Sequence, residues 1–110
     1  MEKKKANTEV IKSIHKLAHF PEKVRITKTA KYDLMARDLT KADACDAIIK
    51  WIDEGKEVKE IITEHVSGHI GEINYFMKPI LREQIFYVKV SLFQDSNGEN
   101  MLIISAHVDH

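Results

Sequence analysis

The residue types best suited to proton and phosphate chemistry gather in the second half of the chain. They are His65, His69, Tyr87, Lys89 and His107, with Lys59 just before them. An unperturbed histidine titrates near pH ~6.5, so it can both take and give a proton at neutral pH. Cleavage of a phosphodiester by the neighbouring 2′-hydroxyl of RNA needs a base for that hydroxyl, an acid for the leaving oxygen and cations for the developing charge. The histidines could supply the first two, and Lys59, Lys89 and Tyr87 the remainder. A metal site is the rival chemistry. In His65-Val-Ser-Gly-His69 the two imidazoles stand at i and i+4, the spacing a zinc-binding helix uses. The glutamate such a helix carries after its first histidine is Val66 here, Gly68 weakens helix, and a third ligand would have to come from His107, Asp109 or His110. The expectation is therefore no metal and no cofactor.

These side chains need strands to hold them. Residues 84–93 and 101–107 alternate as two strands, with Asn97-Gly98 as the turn signal between them. Strict alternation sorts Phe86, Val88, Val90 and Leu92 onto one face and Tyr87, Lys89 and Ser91 onto the other. On the second strand it groups Leu102, Ile104, Ala106 and Val108 against Ile103, Ser105 and His107. One side suits a core and the other presents a phenol, an ammonium and an imidazole.

Upstream, Val10, Ile11, Ile14, Leu17 and Ala18 form a helical stripe over residues 8–18, capped by Asn7 or Thr8 and stopped by Phe20-Pro21. A short edge strand at Val24-Arg-Ile-Thr27 and a short helix over residues 30–36 follow. Thr40 and Asp43 form a capping box for a helix that buries Ala44, Ala47, Ile48, Trp51 and Ile52 and stops at Gly55. The i, i+3, i+4 spacing of Val58, Ile61 and Ile62 predicts another short helix over residues 57–63. Gly68 and Gly71 then break helical order, and residues 73–80 read as a strand ended near Pro79. Helices first and strands last predict a single α+β domain over residues 1–110, with N-terminal helices packed on a C-terminal antiparallel β-sheet.

At 110 residues the chain can bury a modest core without staples. No apolar run approaches the roughly 20 residues that cross a membrane. The polar opening Met1-Glu-Lys-Lys-Lys-Ala-Asn7 carries no secretory pattern. Cys45 is the one cysteine, which rules out an intrachain disulfide and suits a reducing cytoplasm, where a packed thiol is expected. Formal net charge is zero, against a strong global attraction to nucleic acid. The charge is polarised, however: residues 1–41 hold 11 Lys/Arg against 5 Asp/Glu, and residues 42–110 hold 6 against 12. The basic half could follow an anionic polymer, or the two signs could interleave on solvated faces.

Three groups of residues resemble the MqsR family of bacterial toxins, a branch of the RelE superfamily of mRNA interferases. Val24-Arg-Ile-Thr-Lys-Thr-Ala30, with Leu39 and Asp46-Ala-Ile-Ile49, is similar to that family's basic opening segment and its following helix. Lys59-Glu-Ile-Ile-Thr63 is similar to its Tyr-Lys-Ser-Met-Thr-Thr segment. Ile73-Asn-Tyr-Phe-Met-Lys-Pro79, Phe86-Tyr-Val-Lys-Val90 and Met101-Leu-Ile-Ile-Ser105 resemble its last strands. Residues 8–107 are covered.

The resemblance implies a RelE/MqsR-like fold and the toxin of a type II toxin–antitoxin system, a cytoplasmic endoribonuclease that cuts mRNA without metal and is held inactive by a protein antitoxin. It matches Lys59 to a family active-site lysine and Tyr87 to the active-site tyrosine. Glu72 stands where the family has a glutamine, His107 where it has a lysine, Gly71 where it has an aromatic, and His69 near its loop histidine. His107, Tyr87, Lys59, His69 and Glu72 are thus the expected catalytic set, with Lys89, Arg25 and Lys28 binding substrate. The alternative is a diverged, non-catalytic protein-binding module of the same fold, favoured by Glu72 and the acidic second half.

Overall fold

The protein is seen in a computed structural model that describes residues 3–63 and 72–109. It is an α+β fold. Strands β1 (Lys3–Lys5), β2 (Val24–Ile26), β3 (Lys59–Thr63), β4 (Glu72–Met77), β5 (Ile80–Leu81), β6 (Gln84–Asp95) and β7 (Gly98–Val108) form one sheet, and helices α1 (Thr8–Ala18), α2 (Lys28–Met35) and α3 (Lys41–Asp53) pack beside it. The strand order is β1-β3-β4-β6-β7-β2, with β5 paired to β6 off this path. All pairings are antiparallel except that of β2, which runs parallel to β7. The N-terminal half thus supplies both edges of the sheet as well as the helices. None of the described helices is long and apolar enough to cross a membrane.

Local chemistry sets the helix limits. The Asn7 side chain accepts the Val10 N–H at 2.9 Å and starts α1. Thr40 and Asp43 close the expected capping box, with Asp43 Oδ2 accepting the Thr40 N–H at 2.8 Å and Thr40 Oγ1 accepting the Asp43 N–H at 3.3 Å. Gly55, at φ +75°, ends α3: its N–H donates to Ile52 and that of Lys56 to Trp51, which satisfies two of the last carbonyls.

One face of the sheet meets the helices. Tyr75, Met77, Phe86, Val88, Val90, Met101, Ile103 and Ala106 pack with Ile14 and Leu17 of α1, Ala30 and Leu34 of α2, and Ala44, Cys45 and Ile48 of α3. Removing each large apolar side chain here from water is worth about 1.5–3 kcal/mol. None of the described helices packs on the opposite face, which buries Ile61, Asn74 and Phe76 at its β3–β4 end and exposes His107 and Arg25 toward β7 and β2.

Three expectations change. Residues 59–63 form a strand, β3, and not the end of a helix, because β1 and β4 flank them and complete their backbone hydrogen bonds. The hairpin loop is Ser96-Asn97, with Asp95 paired to Gly98; Asp95 Oδ1 accepts the Asn97 N–H at 2.8 Å and Gly98 takes the positive φ of 103°.

The third change concerns β7. Lys89 pairs with Ser105 but Val90 pairs with Ile103, so Ile104 is an extra residue, a β-bulge. Alternation restarts there, so Met101, Ile103 and Ala106 all face the core while Ser105 and His107 stay on the other side. Thr27 holds the bulge. Its N–H donates to the Ile103 carbonyl at 3.0 Å and its hydroxyl to that of Ile104 at 2.8 Å, while the same oxygen caps α2 through the Ala30 N–H.

Candidate active site

The face on which none of the described helices packs carries the chemistry. Tyr87 and His107 are direct cross-strand partners, with ring centroids 5.4 Å apart and planes 19° from parallel. Phe76 opposes Lys89 in register and reaches Tyr87 diagonally, at 5.4 Å and 22°. A ladder of three rings therefore crosses β4, β6 and β7, from a buried phenyl through a half-buried phenol to an exposed imidazole.

His107 Nδ1 lies 3.1 Å from the Val108 carbonyl oxygen. With the proton assigned to Nδ1 for that contact, Nε2 is the accepting nitrogen of the neutral ring. Burial, helped by the charge of Asp109, raises the Tyr87 phenol above its ordinary value. At neutral pH it is a hydrogen-bond donor and not a base. The pair thus joins one proton acceptor to one uncharged donor.

Cations line the next row. Register sets Lys5, Lys59, Phe76, Lys89 and Ser105 side by side across β1, β3, β4, β6 and β7. At about 4.8 Å per strand, Lys59 stands roughly 10 Å from Lys89. Lys59 Nζ is 2.6 Å from Glu57 Oε1, and its hydrogen bond and charge hold the Glu57 carboxyl below the usual carboxylate range. Beside Phe76 a cleft of about 550 Å³ is lined by Trp51, Lys56, Glu57, Lys59 and Lys78. Lysines dominate its polar lining, so it suits holding an anion more than moving a proton.

A residue that the sequence did not single out faces His107 from the helix side. Arg37, just past α2, lines a hollow of about 410 Å³ with Asp33, Ala36, His107 and Val108. Its Nη1 donates to Gln84 Oε1 at 2.7 Å, and Arg82 Nη2 donates to the Asp38 carbonyl at 3.0 Å, so two arginines tie the α2–α3 turn to the β5–β6 turn. Asp38, Arg82 and Glu83 take positive φ values of 57°, 48° and 65° in these same two turns. Side chains rarely adopt that region without support from their surroundings. No signal in the sequence marks Arg37, because its place in one hollow with His107 depends on how α2 lies along β7.

The remaining expected residues scatter. Glu72 opens β4 opposite Thr63, four residues from Phe76 and about 13 Å along the strand, so its backbone does not join the row of Lys59 and Lys89. Arg25 is on the open face, paired with Leu102; its Cζ is 5.9 Å from the centre of the Phe93 ring and its Nη2 is 3.9 Å from Asp95 Oδ2. Lys28 begins α2 with its Nζ 5.9 Å from the Tyr32 ring, on the helix and not on the sheet. Asp109 pairs with Lys78 at 3.3 Å. His65, His69, Gly68, Gly71 and His110 lie outside the described residues. Among the described residues no group of three or more His, Cys, Asp or Glu is arranged to hold a metal ion.

No protein-family model, no curated protein and no solved structure matches this chain.

Proposed function

We propose that this chain is a metal-independent endoribonuclease for single-stranded RNA, the cytoplasmic toxin of a type II toxin–antitoxin pair with a RelE/MqsR-like fold. The observation that carries the chemistry is the stacked Tyr87–His107 pair, its imidazole exposed, on the sheet face away from the described helices and beside Lys89. The residues that resemble the MqsR family carry the biological role and the implied antitoxin partner.

In this reading His107 Nε2 accepts the proton of the 2′-hydroxyl as its oxygen bonds to phosphorus and the bond to the 5′ oxygen breaks. Tyr87 donates to a phosphate oxygen, and Lys89 and Arg37 offset the developing charge. Protonated His107 and Tyr87 can both return a proton to the departing 5′ oxygen, and His69 is a further candidate for that role. The products are a 2′,3′-cyclic phosphate and a 5′-hydroxyl. Lys59, tied to Glu57, acts as a more distant phosphate contact.

The test is incubation of the purified chain, freed of any partner, with labelled single-stranded RNA in excess EDTA, beside His107→Ala. Cleavage by the parent and its loss in the variant are expected. RNA left intact at high protein concentration, or cut equally by both, overturns the proposal. The Lys59–Glu57 pair and the zero net charge favour a second reading, a non-catalytic protein-binding module. There, changes at Tyr87 and His107 alter partner affinity alone.

A further inference from the structure

The ring ladder is one end of a longer track. Along β6 the open face carries Tyr87, Lys89, Ser91 and Phe93 in turn, and Phe93 pairs with Asn100 on β7. Six residues of strand separate the two aromatic rings by about 20 Å. At the far end Arg25 reaches over from the edge strand β2, with its guanidinium 5.9 Å from the Phe93 ring centre and its side chain 69% exposed. Asp95, at 3.9 Å from Arg25 Nη2, steadies that guanidinium, and the Asn97 N–H in turn fixes Asp95 at 2.8 Å.

We propose that Arg25 and Phe93 form a second subsite, which stacks a base of single-stranded RNA several nucleotides away from the bond cut at Tyr87 and His107. The inference rests on the ribonuclease reading and adds a binding position to it. Two features of the face select this occupant. Lys5, Lys59, Lys89 and Arg25 stand on it, and the carboxylates beside them, Glu57 and Asp95, are already engaged by Lys59 and Arg25. It also offers π surfaces at both ends with a cation, Lys89, between them, the combination that holds a single strand by stacking and phosphate contact. Lys89, half-buried, is the cation of β6 between the two ends.

The experiment measures binding of fluorescent 2′-O-methyl RNA, which cannot be cleaved, as a dinucleotide and at a length of about eight nucleotides. The parent should bind the longer strand more tightly. Phe93→Ala should weaken the longer strand about ten-fold and leave the dinucleotide unchanged, since one base stack is lost. Arg25→Ala, which keeps the ring, should weaken the longer strand in the same way and guards against misfolding of the first variant. If both variants bind the longer strand like the parent while Tyr87→Ala weakens it, the subsite is overturned and the ribonuclease reading stands. If the parent binds RNA of neither length, both fall.

Discussion

Tyr87 and His107 face each other across β6 and β7, with their rings 5.4 Å apart and nearly parallel. Cross-strand pairing fixes this arrangement, so the backbone ladder itself sets the distance between donor and acceptor. Burial of the phenol beside Phe76 keeps its proton on, while His107 stays exposed to a substrate.

The roles separate by substitution. Tyr87→Phe retains the stacked ring and removes only the donor, so kcat on RNA should fall about a hundred-fold with little change in KM. Steady-state kinetics in EDTA checks this. An unchanged kcat would remove Tyr87 from the reaction.

Arg37→Ala should also lower kcat/KM, and Arg37→Lys should recover only part of the loss. A lysine restores the charge but not the planar fork that holds Gln84 with one nitrogen and presents the others. Full recovery in the lysine variant would mean that Arg37 acts through charge alone.

Thr27→Val tests how the site is aimed. The variant loses the hydroxyl that donates to the bulge carbonyl of Ile104 and caps α2. A cost of about 1–2 kcal/mol in urea unfolding is expected. Because the bulge keeps His107 on the open face, cleavage should drop in native buffer as well. Loss of stability with full activity would separate the bulge from the site.

That bulge also marks the limit of what could be read from the sequence. On β6 the alternation of Phe86, Val88 and Val90 with Tyr87 and Lys89 is plain, and the structure follows it. In Met101-Leu-Ile-Ile every residue is apolar, so nothing in the residue types shows where parity restarts, and Ile103 falls on the wrong face by simple counting. The helix ends were legible because Asn7, Thr40, Asp43 and Gly55 act on neighbours in the chain. Residues 58–62 were ambiguous: Val58, Ile61 and Ile62 fit a helical stripe, yet in the strand Ile61 shares with Phe76 the face opposite the helices, where both are buried. The parallel pairing of β2 with β7, the edge strand β1 and the hollow shared by Arg37 and His107 are tertiary, and no local signal encodes them.

Cys45 provides a pH test of the core. Burial pushes its thiol up to about 11, with Lys41 opposing the shift in part. A folded-state value above the unfolded one, about 8.5, stabilises the fold most below that unfolded value and loses the benefit as pH rises through the folded one. Urea midpoints should therefore decline above about pH 8.5 in the parent and less in Cys45→Ala. Thiol labelling at neutral pH should proceed only as fast as the protein opens. Rapid labelling of the native state would contradict this packing.

The most direct measurement uses an otherwise 2′-deoxy oligonucleotide with a single ribonucleotide, incubated in EDTA with the purified chain and with His107→Ala. The parent should cut once, immediately after the ribose, leaving a 2′,3′-cyclic phosphate and a 5′-hydroxyl, and the variant should not cut. An oligonucleotide that survives intact with the parent, or that is cut at deoxy positions, would contradict attack by the 2′-hydroxyl at the Tyr87–His107 pair.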